Sequence, residues 1–204
     1  MNQFIKCLCC MRSIIAFAVL SLSAVSIAVE NKEQPALVAD VKPTTASPHD
    51  VLSWKKFHSV PGKCKVAFPQ NPEHVKQVMT LKEDNCDMQY DVYVSTEQNK
   101  DAVYMVLIAQ YPEYVNESCA ELSLECFLNG ILTQHPDNEL IFADLIEIQG
   151  HKGMDFFIKT KGLFFKGRAV MSGSNLYLIA MECEEKMYKE HRFNFFINSF
   201  ELVK

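Results

Sequence analysis

From residue 51 onward, apolar and polar positions alternate with a period of two over most of the chain, the pattern of strands that bury one face. Residues 52–58, around Trp54 and Phe57, read as a short first strand. Pro61-Gly62 turns it into KCKVAFP, where Cys64, Val66 and Phe68 face one way and Lys63 and Lys65 the other. After the Asn71-Pro72 turn the pattern predicts a strand over 74–81. A longer one follows over 86–96, with Cys86, Met88, Tyr90, Val92 and Val94 on a shared face. The next stretch, AVYMVLIAQYP, is almost wholly apolar and reads as a central strand covered on both sides. Further strands are predicted over 140–148, 154–160, 163–171 and 175–182.

Two stretches break the alternation. In SCAELSLECFLNGILTQ the residues Ala120, Leu124, Phe127, Leu128 and Ile131 fall within about 100° of one another at 3.6 residues per turn, which predicts a helix. Ser118 followed three residues later by Glu121 predicts a capping box at its start. A closing helix is predicted over 184–198, packing Met187, Tyr188, Phe195 and Phe196, before the chain ends in SFELV. Strands joined mostly by short connections favour a largely antiparallel sheet with helices packed on it, an α+β fold.

The N-terminal residues follow different rules. Lys6 and Arg12 precede an acid-free apolar run from Ser13 to Val29 that ends in the small residues Ser26 and Ala28. This is the layout of a signal peptide over residues 1–28, or of an N-terminal membrane anchor formed by residues 13–29, since about 17 residues is the lower limit for a span. Either form carries the rest of the chain out of the cytoplasm, because the positive charge lies on the N-terminal side of the run. Cys7, Cys9 and Cys10 precede the run, which is the wrong side for a lipoprotein. Residues 29–50 contain Pro35, Pro43 and Pro48 and no aromatic residue, so they form a flexible linker that cannot bury enough apolar area to offset its ordering entropy. Residues 51–204 then make a single globular domain.

Composition narrows the function classes. The chain carries 20 basic and 25 acidic residues, a formal charge of -5, and loses Lys6 and Arg12 but no acid with residues 1–28, leaving -7. No overall positive field is available to hold nucleic acid.

The order of elements over residues 52–203 resembles a known family. An opening segment ending in a turn and VAFP, a strand pair, an apolar strand ending in YP, one mid-chain helix, a run of hairpins, and a closing helix followed by NSFEL are similar to the PsbP-like α/β/α sandwich. These motifs are short and apolar and carry packing information rather than chemistry. The family includes extrinsic photosystem subunits and exported bacterial proteins, so the resemblance implies a non-enzymatic binding or assembly module. No functional residue of the family maps onto this chain.

Five cysteines lie beyond the leader: Cys64, Cys86, Cys119, Cys126 and Cys183. An odd number leaves at least one thiol unpaired in an oxidising compartment. Cys119 and Cys126, seven residues apart on one helix, are separated by about 10.5 Å along its axis. They are too far apart for a disulfide, which needs Cα atoms within about 7 Å. The others read as small buried residues or as partners in one or two bridges. With Ser118 as the cap, Cys119 occupies the first helical position, where the helix dipole favours thiolate, while Glu117 and Glu121 oppose it. Cys119 is thus the candidate catalytic residue of an alternative class, a thiol-dependent redox enzyme. The six histidines are scattered singly and no zinc spacing is present, so no metal and no cofactor is implied. His135-Pro136-Asp137 reads as a helix stop, and His151, Asp155 and Ser172 form a triad only on paper.

The hairpin DFFIKTKGLFFKGR gives the most specific surface expectation. A tight Lys161-Gly162 turn pairs Thr160 with Leu163, Lys159 with Phe164, Phe157 with Lys166 and Asp155 with Arg168. Phe157, Lys159, Phe164, Lys166 and Arg168 then share one face, and Ile158, Phe165 and Ala169 belong to the core behind it. That face is a candidate docking surface for a protein or glycan partner of the bacterial envelope, with a membrane tether if the leader is retained. The expected location is periplasmic or secreted, or anchored to the inner membrane. N-terminal sequencing of the protein from its host is expected to begin at Val29 on cleavage; a soluble cytoplasmic product beginning at Met1 excludes export in either form.

Overall fold

The computed structural model describes residues 51–81, 86–97 and 101–203, with the side chains of residues 79–81, 86 and 87 left aside. The leader and linker expected over residues 1–50 lie outside the described residues, as does the side chain of Cys86.

The chain forms strands β1 (Lys55–Ser59), β2 (Cys64–Phe68), β3 (Glu73–Leu81), β4 (Cys86–Thr96) and β5 (Ala102–Gln110), then helix α1 (Ala120–Leu132). Strands β6 (Glu139–Ile148), β7 (His151–Thr160), β8 (Leu163–Ser172) and β9 (Asn175–Glu184) follow, then helix α2 (Glu190–Asn198) and the two-residue strand β10 (Glu201–Leu202). Seven strands make one antiparallel sheet in the order β3-β4-β5-β9-β8-β7-β6, and β1, β2 and β10 make a second, small one. The fold is α+β and largely antiparallel, as the alternation implies.

Both faces of the large sheet are buried at its central strands. On one, α1 packs chiefly on β7 and β8, with Phe127 against Phe156, and Leu124, Phe127 and Ile131 join a core that reaches Met105 and Leu107 of β5 and Leu178 and Ala180 of β9. On the other, the small sheet and α2 set Phe68 and Phe196 over Tyr104, Val106, Ile179 and Met181. The rings there meet edge to face, with Phe196 at 5.1 Å from Tyr104 and Trp54 at 4.8 Å from Tyr104. These are the separations at which ring quadrupoles attract. α2 is tied to the sheet by Arg192, which bonds to Glu97, whose other oxygen accepts from the Tyr104 hydroxyl at 2.7 Å.

The structure corrects three expectations. The closing helix is shorter than 184–198: β9 runs on to Glu184, because Cys183 is buried between Ala102 of β5 and Phe164 of β8. Glu185–Met187 form one 3-10 turn, and only then does α2 start. Its buried residues are Phe193, Phe196 and Ile197, while Phe195 is turned outward against Trp54. Asn116 caps the 3-10 turn Glu117–Cys119 ahead of α1, its side-chain oxygen accepting from Ser118 N–H at 3.0 Å, and Cys119 holds the N-cap position of α1 without a side-chain cap bond, rather than the first helical position. Ser118 itself lies inside a 3-10 turn, so no capping box forms, and Glu121 pairs with Lys152 at 3.0 Å. Finally, SFELV returns to the body: Glu201 and Leu202 pair with Lys65 and Cys64, so one face is closed partly by strands rather than by helices alone.

One half-buried acid stands apart. Glu182 of β9 lies between Val103 and Phe165 on its neighbouring strands and, among the described residues, has no hydrogen bond or ion pair. Burial pushes its carboxyl above the ordinary value of 4.5. The folded chain therefore keeps a proton that the unfolded chain releases, and stability declines as the pH rises from the ordinary value through the raised one. Glu182→Gln is expected to raise Tm at pH 7–8 and to leave it unchanged at pH 4, as followed by circular dichroism. Equal Tm at both pH values would show that Glu182 finds compensation in the fold.

Candidate functional site

The β7–β8 ribbon forms with the register that a tight Lys161-Gly162 turn requires. Lys161 (φ 42) and Gly162 (φ 80) are both left-handed, the geometry of a type I′ hairpin, and the turn pairs Thr160 with Leu163 and Asp155 with Arg168. Ile158, Phe165 and Ala169 are buried under α1. Phe157, Lys159, Phe164, Lys166 and Arg168 lie on the opposite face, towards α2.

Each cation on that face has a partner within the chain. Arg168 makes a two-point contact with Asp155, at 2.6 and 2.8 Å. Lys159 reaches Glu185 at 2.8 Å. Lys166 enters a box of rings, its ammonium 4.6 Å from the centroid of Phe193, 5.4 Å from Phe157, 5.5 Å from Tyr188 and 5.8 Å from Phe142. It also donates to the Tyr188 hydroxyl at 2.9 Å. Exposure follows the pairing: 37% for the Lys159 side chain against 13% for Lys166 and 18% for Arg168. The five residues are therefore brought together, but the segment from Glu185 to α2 covers part of the face and its acids Glu185 and Glu190 pair with Lys159 and Lys166. Tyr188 is the residue sequence reasoning misplaced: in a continuous helix it would have packed elsewhere, whereas the extended backbone after the 3-10 turn lets it stack on Phe157 at 5.9 Å.

A second cluster forms where three segments meet. His151, the first residue of β7, points Nδ1 at Glu117 at 2.9 Å and Nε2 at Ser172 Oγ at 3.4 Å. The acid here is Glu117, because Asp155 is engaged by Arg168. The order carboxylate, imidazole, hydroxyl is that of a hydrolytic triad, but the backbone N–H after Ser172 donates to Glu117 at 3.0 Å rather than facing a substrate oxygen. That bond, together with His151, holds the Glu117 carboxyl below the ordinary carboxylate range. The cluster acts as a clip joining the start of α1 to the β7 and β8 ends.

The thiols are placed for packing. Cys64, Cys119, Cys126 and Cys183 are all free. Burial pushes Cys64 and Cys183 up to about 12, far from the thiolate form. Cys119 is half-buried, lies in the 3-10 turn ahead of α1 and donates its thiol hydrogen to the Asn116 carbonyl at 3.0 Å. His135 and Asp137, in the turn after α1, meet Lys161, whose ammonium is 2.9 Å from Asp137. Among the described residues no group of three His, Cys, Asp or Glu side chains is arranged to hold a metal ion.

Comparison with known proteins turns on this two-lidded sheet. No family model matches the chain, and no curated protein matches it. Among solved structures, cyanobacterial PsbP (CyanoP) from Synechocystis sp. PCC 6803 superposes with a TM-score of 0.53 at 12% identity, covering 81% of this chain and 99% of that one. The chain has a PsbP-like fold. A Pseudomonas aeruginosa protein of unknown function aligns over 69% of the chain at 10% identity with a TM-score of 0.35. The PsbP-like likeness is one of fold, so the pairing pattern of the ribbon has to be tested on this chain itself. Lys159→Gln is expected to change stability by no more than about 0.5 kcal/mol. Lys166→Gln and Arg168→Gln are each expected to cost about 1–3 kcal/mol, through lost cation–ring contacts in one and an unpaired Asp155 in the other. Urea titration of the three variants checks the order; equal values for all three would mean the face is solvated.

Proposed function

We propose that this protein is an exported, non-enzymatic binding or assembly module of the bacterial envelope, docking a partner at the β6–β7–β8 end of its large sheet. The observation that carries the reading is the exposure of apolar side chains on β6: Leu140 is 40% exposed, Ile141 48% and Leu145 49%. They stand on an outer strand next to the ring cluster of Phe142, Phe157, Phe164 and Tyr188. Apolar surface gathered at one margin marks a contact site, whereas single exposed apolar residues are ordinary. The leader and linker of the sequence support export, and a linker before the folded unit gives a tethered domain reach. Among the described residues no helix is long and apolar enough to cross a membrane.

The test is site-specific photo-crosslinking of the full chain in its host envelope, with the reactive side chain at position 145 or, for comparison, at Leu122 of α1, which is 45% exposed. An adduct of defined mass is expected from position 145 and not from 122. Adducts from both or from neither would remove the β6 end as the docking site.

A further inference from the structure

Strand β6 closes the large sheet at one edge, and apart from one bulge and three acids it carries little of the usual protection. Outer strands expose a row of unpaired backbone N–H and C=O groups, and proteins commonly blunt them with lysine, proline, shortness or a covering loop. The opposite edge, β3, includes Lys76. In contrast, β6 is ten residues long, reads ELIFADLIEI, and has no lysine, arginine, proline or glycine. One bulge at Ile141 is its only irregularity.

The two faces of β6 differ in chemistry. Through its pairing with Ile158, Phe156 and Met154, the α1 side of β6 presents Leu140, Ala143 and Leu145. Through Lys159, Phe157 and Asp155, the α2 side presents Glu139, Phe142 and Asp144. Neither acid on that side is neutralised by the residue it faces. Lys159, opposite Glu139, is engaged by Glu185, and Asp155, opposite Asp144, is itself an acid held by Arg168. Among the described residues Glu139 and Asp144 have no ion pair or hydrogen bond.

We propose that β6 is a strand-addition site for an extended segment of a partner protein in which basic and apolar residues alternate. An added strand supplies main-chain partners to the free edge, and its side chains fall beside those of β6 with the same period of two. Alternation then sets every basic residue on the α2 side, within cross-strand reach of Glu139 and Asp144, and every apolar residue beside Leu140 and Leu145. A second copy of β6 fits less well, because it would bring acids to acids: Glu139 and Asp144 of each edge on the α2 side, with Glu147 of each on the α1 side. The inference rests on the docking reading above and names its mode and its partner chemistry.

The experiment uses the full chain and a capped eight-residue peptide of alternating valine and lysine as probe. Comparators are the valine–glutamate peptide and a valine–lysine peptide N-methylated on the amides of one edge. Fluorescence anisotropy is expected to show binding of the basic peptide at least tenfold tighter than either comparator. Amide hydrogen exchange should slow within residues 139–148 and be unchanged in β3. Glu139→Lys with Asp144→Lys should weaken the basic peptide at least tenfold and strengthen the acidic one; Leu145→Lys, at an exposed site, should weaken it without altering Tm.

Three results overturn the proposal: the N-methylated peptide binding as well as its parent, protection appearing outside β6, or a dimer that protects β6 without peptide and is lost in Leu145→Lys. Loss of peptide binding while position 145 still crosslinks in the envelope removes strand addition alone. Loss of the crosslink removes the docking reading itself.

Discussion

The two-sided burial of β5 and β9 is the constraint on which the rest of the structure depends. Along β5, Tyr104, Val106 and Ile108 enter one core while Met105, Leu107 and Ala109 enter the other, and β9 divides Ile179 and Met181 from Leu178 and Ala180 in the same way. A fully buried side chain of this kind contributes about 1.5–3 kcal/mol relative to an exposed one, so neither face can be left to water. The chain meets the demand with two unlike lids. α1 closes one face alone. The other is closed by β1, β2, α2 and β10, drawn from both ends of the described region and held together by strand pairing and by Ala67 N–H donating to Ser199 Oγ at 2.8 Å.

The lids also explain where the surface is left open. A helix is about 10 Å across and strands lie about 4.8 Å apart, so a single helix covers roughly two strands. α1 lies chiefly over β7 and β8, with its buried stripe reaching β5 and β9 residues, and β6 falls at its margin. Leu140 and Leu145 face the α1 side by register yet stay exposed, because the helix ends its coverage before reaching them.

Much of this was legible before any coordinates, and the limits have physical causes. Period-two alternation, together with the continuous apolar run of β5, marks every strand of the large sheet within a few residues, since each pattern reports the burial of one or both faces. The β7–β8 register was readable from Lys161-Gly162, because a tight left-handed turn leaves no freedom to slip. The PsbP-like fold followed from the order of elements. Nothing local tells which strand stands at an edge, so the role of β6 was invisible. The closing helix was drawn too long because Met187 and Tyr188 are apolar at helical spacing, yet they pack from a 3-10 turn and an extended link. The hairpin cations are legible as neighbours and Arg168 as the partner of Asp155, but the pairing of Lys159 with Glu185 and the covering of Lys166 by Tyr188 depend on a segment more than twenty residues further on.

Charge follows the same logic as coverage. The basic residues of the described region are largely spent on internal partners: Lys56 on Glu201, Lys152 on Glu121, Lys159 on Glu185, Lys161 on Asp137 and Lys186 on Glu184. Exposed pairs like these add little stability, at most about 1 kcal/mol each, but they remove positive charge from the surface field. In a chain with more acids than bases, the balance of what remains unpaired is negative. Glu139 and Asp144 belong to that remainder, and they stand on the strand whose apolar side chains the lids fail to cover. Such a field extends only about 8–10 Å at physiological salt, so it favours an oppositely charged segment that already lies along the edge over one approaching from a distance. Negative charge and open backbone coincide there because both are left over from closing the two faces.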